Sequence, residues 1–190
     1  ISDFKLNDYL FGDLCLESRW DNEHRSLWVD GSLERNGVKP LAFSGAYNID
    51  NKKSPLDIYA SVRDLDLSFL NEFVGEDVLG IYGFASGDIH LTGQPDSPDM
   101  NGKASLREAN VFVPYLNTRY YIEQGIGIFP DMFTFDHIRI RDEEGNPGYL
   151  TGTIMHKAFG DWNFDVVIDA ESPLLAMNTN ELLNSLYYGK

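Results

Sequence analysis

Leu14-Cys15-Leu16-Glu17-Ser18-Arg19-Trp20, then Asp21-Asn22-Glu23-His24-Arg25, then Leu27-Trp28-Val29-Asp30-Gly31-Ser32-Leu33-Glu34 is the stretch that decides the fold. Its first and third parts alternate with period two, the side-chain period of a β-strand with one buried face. The polar run between them reads as the turn of a hairpin. Leu27, Val29 and Leu33 then share a face with Gly31, while Trp28, Asp30, Ser32 and Glu34 share the other.

The same grammar continues outward. Asn36-Gly37 is a hairpin signal, and Leu41, Phe43, Gly45, Tyr47 and Ile49 repeat the alternation. After Asn51-Lys52-Lys53, a fourth strand carries Leu56, Ile58, Ala60 and Val62. The period then changes. Leu67, Leu70, Phe73 and Val74 fall at helical spacing, with Asp66 or Ser68 as N-cap and Gly75 or Gly80 as stop, which predicts a short helix within 64–80.

A second block of strands, 81–170, opens with Ala85, Gly87, Ile89, Leu91 and Gly93. Gln94-Pro95-Asp96-Ser97-Pro98 should end pairing there, because proline donates no ladder hydrogen bond. Ala104 and Leu106 lead into Ala109, Val111 and Val113, with a phase slip that predicts a bulge near Arg107-Glu108. Tyr120, Ile122, Gln124, Ile126 and Ile128 read as one strand, and Phe133 and Phe135 continue to Ile138 and Ile140 across another slip. The turn Glu143–Gly148 leads to Leu150, Gly152, Ile154 and His156; Trp162, Phe164, Val166 and Ile168 form the last strand. Leu182, Leu183 and Leu186 suggest a truncated helix over 179–188.

One or two short helices cannot cover a face of about ten strands, so the sheet must bury that face by curling on itself. A closed barrel, a sandwich and an open trough all satisfy this. Glycines at apolar-side positions, Gly31, Gly45, Gly87, Gly93 and Gly152, suit sharp curvature or close approach. The fold expected is mostly β: a long antiparallel meander curled into an open trough, a single unit over 1–190.

Composition limits the function. At 190 residues, 43% apolar and 13% aromatic, the chain can build a large core. Its 30 Asp and Glu against 15 Lys and Arg give a formal net charge of −15, which repels phosphate backbones and disfavours nucleic-acid binding. The same charge also serves solubility. Cys15, the single cysteine, excludes an internal disulfide and a multi-cysteine metal site. The chain starts at Ile1 without a signal pattern, and no apolar run approaches the ~20 residues of a transmembrane helix. It reads as a piece of something longer, with any anchor upstream.

Catalytic residues are not found: there is no nucleophile elbow, no triad order and no phosphate loop. His24, His90, His137 and His156 lie far apart, outside any HxH or HExxH pattern, and only convergence of His137 with His156 would make a metal site. Asp142-Glu143-Glu144-Gly145-Asn146 lacks calcium-loop spacing and reads as an acidic hairpin. No metal and no cofactor is expected. Trp20, Trp28, Trp162, Tyr120 and Tyr121 could form a carbohydrate platform but are more simply core residues.

Gly87-Asp88-Ile89-His90-Leu91-Thr92-Gly93-Gln94-Pro95, followed by Pro98-Asp99-Met100-Asn101-Gly102-Lys103-Ala104, resembles a signature of the TamB family, translocation and assembly module proteins of the diderm envelope. Val111 to Leu116, the Asp142–Asn146 turn and Leu150 to Phe159 resemble elements of that family's C-terminal region, and Trp20-Asp21 and Leu33-Glu34-Arg35 fit its preceding repeats. The resemblance implies a taco-like trough in a periplasmic segment of a protein anchored to the inner membrane of a Gram-negative cell. It implies an Omp85-class outer-membrane partner, and a role in outer-membrane biogenesis by phospholipid transport or by assembly of outer-membrane proteins.

The residues suit a lipid conduit. A ten-residue strand spans roughly 33 Å, comparable with a bilayer's ~30 Å hydrocarbon thickness. Exposing ~15 methylenes to water costs about 12 kcal/mol at 0.8 kcal/mol each, which an apolar face largely removes. The expected groove lining is Leu27, Val29, Leu41, Phe43, Ile58 and Val62 from the first block. From the second it is Ile89, Leu91, Leu106, Val111, Val113, Ile126, Ile128, Phe133, Phe135, Ile138, Ile140, Leu150, Ile154, Phe164, Val166 and Ile168. The expected partners are phospholipid acyl chains, or else unfolded outer-membrane β-strands added to an exposed edge. A β-sandwich ligand-binding module is a third reading.

Overall fold

The computed structural model describes residues 1–6, 8–74, 80–157, 160–170, 172–180, 182 and 188–189. It holds one antiparallel sheet whose strands follow chain order: β1 (Phe4–Leu6), β2 (Tyr9–Asp21), β3 (Ser26–Arg35), β4 (Val38–Asn48), β5 (Leu56–Asp66), β6 (Gly80–Gln94), β7 (Ser97–Val113), β8 (Thr118–Ile122), β9 (Ile126–Phe129), β10 (Met132–Asp142), β11 (Pro147–Lys157) and β12 (Gly160–Asp169). β8 and β9 lie end to end between β7 and β10. A 3-10 turn, Leu67–Leu70, runs into the one-turn helix α1, Asn71–Val74.

The chain is thus mostly β, a twelve-stranded meander curled into an open trough. Neither the barrel nor the sandwich forms. Among the described residues β1 and β12 do not pair with each other, and no second sheet packs on the first.

The register shows why one face is apolar. Leu16 pairs with Gly31, Gly31 with Phe43, Phe43 with Ala60, Ala60 with Ile89 and Ile89 with Gly102. The row continues through Ile128, Phe133, Ile154 and Phe164. One residue over, Cys15, Ser32, Ala42, Ser61, Asp88 and Lys103 lie in register on the polar face.

Two features curl the sheet towards the apolar face. At Gly45 and Gly152 an added Cβ would run into the carbonyls of Asp57 and Asp165 on the neighbouring strands, and Gly152 has φ +133°, so only glycine lets the strands approach on this side. Bulges also line up across neighbouring strands: Asp64 (φ 49°) in β5, Gly83 (φ 106°) in β6, Glu108 (φ 53°) in β7, the break between β8 and β9, and His137 (φ 50°) in β10. A bulge bends its strand, so the line is a crease. Both slips read from the sequence, near Arg107-Glu108 and between Phe135 and Ile138, are part of it.

Several expectations need correction. Tyr120 to Ile128 is two strands, because register is broken at the crease. Pro98 does not end pairing; it sits in β7 opposite Gly93, at a strand start where Ser97–Asn101 has only β6 beside it, and the missing N–H is tolerated there. The sheet begins earlier than read, at Phe4. The helix is shorter, since β5 runs to Asp66; that residue is the cap, accepting the Ser68 N–H at 2.9 Å. Gly75, proposed as a stop, and most of the helix suggested over 179–188 lie outside the described residues, although Thr179 and Gly189 form an antiparallel bridge.

Candidate functional site

The pairing register puts every expected lining residue on the same, concave face. They are not equally accessible. Val62, Ile128, Phe135, Ile138 and Ile140 are buried, Ile140 to 2% exposure. Val29, Leu41, Phe43, Ile58, Ile89, Leu91, Leu106, Val111, Val113, Ile126, Phe133, Leu150 and Ile154 are half-buried. Leu27, Phe164, Val166 and Ile168 are exposed. A half-buried apolar surface without a covering layer is a lined groove rather than a sealed core.

Two segments divide the face. Just above the crease, the side that holds Ile89 and Leu91, Leu67 of the 3-10 turn packs on Ala85, Ala104 and Ile128, beside Ile89, Leu106 and Ile126. The Asn71 side chain ties the helix to the sheet, donating to the Ile81 carbonyl at 3.1 Å and accepting the Ile81 N–H at 2.7 Å. Phe69 packs on Tyr9 and Phe11, with ring centroids 6.1 and 5.4 Å away. Further along, residues 172–178 cross the ends of β8, β10 and β11. The Leu175 N–H donates to Asp142 Oδ2 at 2.7 Å, and the Tyr120 hydroxyl donates to the Leu175 carbonyl at 2.8 Å. Beyond that cluster, Phe43, Ile58 and Leu91 stay half-buried beside Leu56 and Tyr47, with Ile89 at the cluster's edge.

Sequence reasoning missed Leu16, Tyr47 and Leu56 as lining residues; the row of cross-strand partners was the signal that finds them. It also missed the anchor made by Tyr9, Phe11 and Phe69, and it missed residues 172–178, whose Ser-Pro-Leu-Leu run carries no period.

Asp142, 2% exposed, closes the acidic hairpin. Burial alone would raise its pKa, but hydrogen bonds from Leu175 N–H, Asn146 side chain and N–H, and Glu144 N–H hold it below the usual carboxylate range. Its oxygens are committed to these donors, which supports a hairpin rather than a calcium loop.

The histidines are separated. His24 contacts Asp21 in the first turn, His90 stacks on Tyr59 and contacts Asp57 at 2.7 Å, and His137 stacks on Tyr149 at the crease. His156 is buried between Phe133 and Trp162, and burial lowers its pKa against an opposing pull from Asp131. His137 and His156 therefore do not converge, and among the described residues no three His, Cys, Asp or Glu could hold a metal ion. The aromatic platform is not formed either: Trp20 and Trp28 are exposed on opposite faces, and Tyr120 is tied to Leu175.

The polar face carries a shallow depression of about 600 Å³ floored by the Tyr59–His90 stack, with Asp30, Ser44, Asp88 and Asn101 around it. No helix among the described residues is long and apolar enough to cross a membrane. Comparison with protein-family models, curated proteins and solved structures finds no match to this chain.

Proposed function

We propose that the concave face carries phospholipid acyl chains, in a periplasmic segment of an envelope protein of the TamB kind. Such a protein would be tethered to the inner membrane, meet an Omp85-class protein at the outer membrane and serve outer-membrane biogenesis without making or breaking bonds. The observation that carries this reading is the row from Leu16 through Phe43, Ile89 and Ile154 to Phe164, apolar or glycine at every strand and buried only at Ala60 and at Ile128, where Leu67 packs against its cluster. Nine interstrand steps of ~4.8 Å make it roughly 43 Å long, more than the ~30 Å hydrocarbon thickness that holds two opposed acyl layers. Because this face and a bilayer interior are similarly apolar, transfer between them is near neutral and sliding needs no tight site.

The test is lipid analysis of protein purified without detergent, alongside Leu91→Asp. We expect co-purified phospholipid, its loss in Leu91→Asp, and retention in Asp88→Asn on the polar face. Phospholipid absent from the unaltered chain, or equal in both variants, sinks the reading.

One observation favours strand addition as a second reading. β12 has no partner beyond β11 among the described residues and exposes Phe164, Val166, Val167 and Ile168, the last three to 37%, 56% and 45%. A Val167→Pro change that left lipid content intact but abolished capture of an added outer-membrane strand would favour it.

A further inference from the structure

Residues 172–178 do not simply trail from β12. They cross the concave face without regular secondary structure, and the contacts they make are those of a bound peptide. Leu175 is buried to 8% exposure, and Leu174 lies over Gly148, where an added Cβ would come within 2.6 Å of its Cδ1. Polar contacts fix both backbone directions. Leu175 donates to Asp142 and accepts from the Tyr120 hydroxyl; Asn178 donates its N–H to the Leu116 carbonyl at 2.9 Å and accepts from the Asn117 side chain at 2.7 Å. The surface beneath, which includes Thr118 and Ile140 at 0% and 2% exposure, is continuous with the open apolar face by register.

We propose that this segment is a displaceable latch: the lower end of the groove binds it as an apolar peptide, in competition with the acyl chain that the open part of the groove carries. The competition rests on the lipid reading; the peptide site does not. Apolar contact retains the latch while a few directional bonds set its register, the division of labour of groove-bound peptides. Its anchors are few, so its opening is local and does not require the sheet to unfold.

Two measurements on the full chain test this. Hydrogen exchange at the Leu175 and Asn178 amides is followed as lysophosphatidylcholine is added below its micelle-forming concentration. Binding of a synthetic peptide spanning residues 172–178 is measured on the unaltered chain and on Leu175→Asp. We expect lysophosphatidylcholine to speed exchange at both amides by about tenfold. Leu175→Asp should capture the added peptide where the unaltered chain does not, and should bind lysophosphatidylcholine about tenfold more tightly, a gain of 1.4 kcal/mol. Unchanged exchange at saturating lysophosphatidylcholine overturns the competition, and failure of a natively folded Leu175→Asp to capture the peptide overturns the site. If Leu175→Asp does not fold, the exchange measurement on the unaltered chain decides. Lysophosphatidylcholine binding to neither protein would defeat the lipid reading, while peptide capture would still establish the site.

Discussion

Above the crease and below it, the concave face is built from the same alternation of aliphatic residues and glycine, yet the two regions differ in burial. Below it Ala109, Ile138 and Ile140 are each under 9% exposed. Above it Val62, Ile128 and Phe135 are buried too, but the large side chains Phe43, Ile58, Ile89 and Leu91 stay half-exposed. Cover follows this difference: residues 172–178 lie on the lower region, and the 3-10 turn with α1 straddles the crease, Leu67 on the Ala85, Ala104 and Ile128 cluster and Asn71 on Ile81, with Phe43, Ile58 and Leu91 outside that cluster. The covered part supplies stability, and the half-exposed part around Phe43, Ile58 and Leu91 is the proposed ligand face. Substitutions that remove the same number of methylenes should therefore have unequal costs in the two regions.

The largest effect should be at Ile140. Ile140→Ala empties a site that neighbours cannot refill and should cost about 3 kcal/mol, whereas Leu91→Ala in the open region should cost under about 1 kcal/mol. Urea denaturation of the two variants measures the difference. Equal losses would mean that the upper face is sealed in solution, and the comparison would fail.

Gly152 comes next. Alanine there forces a Cβ against the Asp165 carbonyl at φ +133°, so Gly152→Ala should cost about 2 kcal/mol and open the angle between β11 and β12. Gly145 is the control, with positive φ but nothing near an added Cβ; Gly145→Ala should cost less. If the two cost the same, dihedral strain alone explains the penalty and close strand approach plays no part in the curl.

Strand identity, alternation and the two phase slips were legible because each depends on residues within one strand and its partner. The glycines at the tightest approaches were legible for the same reason, since they interrupt an otherwise regular apolar row. Which part of that row stays open was not legible. It is set by Leu67 and Leu175, which reach the face from outside the sheet and whose local sequence does not encode their destination. Pro98 misled because proline's cost depends on whether a strand lies on its other side, which a linear pattern does not report. For the same reason Phe135→Asp, attractive as a groove mutation from the pattern alone, falls at a buried position and would test stability more than binding.

Asp142 joins hairpin and latch, accepting from Asn146 in the one and Leu175 in the other. Its folded pKa is depressed, so its contribution is fully present above the unfolded value, about 3.9, and is lost as pH falls through the folded value. The denaturation midpoint should drop below about pH 4 in the unaltered chain. In Asp142→Asn that part of the pH dependence should vanish, with about 2 kcal/mol already lost at neutral pH because charge-assisted bonds to Leu175 and Glu144 are replaced by weaker ones. Since Asp142 braces the covered region and not Leu91 or its neighbours, lipid should be retained. A loss of lipid from Asp142→Asn with the latch still protected from exchange would contradict the separation.

The smallest effect should come from Arg107, on the polar side of the crease. Its guanidinium contacts Asp64 and Glu108 at 3.2 and 2.8 Å and lies 4.4 Å over the Phe84 ring, which makes it look like the clasp of the fold line. Half-exposed charges of this kind are screened by solvent, and Asp64 and Glu108 already hold left-handed backbone conformations through the bulges themselves. Arg107→Ala should therefore cost under about 1 kcal/mol, most of it insensitive to salt because it comes from contact with the Phe84 ring. Gly83→Ala at the same level should cost more, since its Cβ would meet the Ala109 backbone at 2.5 Å. If the order is reversed and the Arg107 loss disappears at high salt, the crease is held by charge pairs rather than by backbone geometry, and the boundary between the two regions would move with ionic strength.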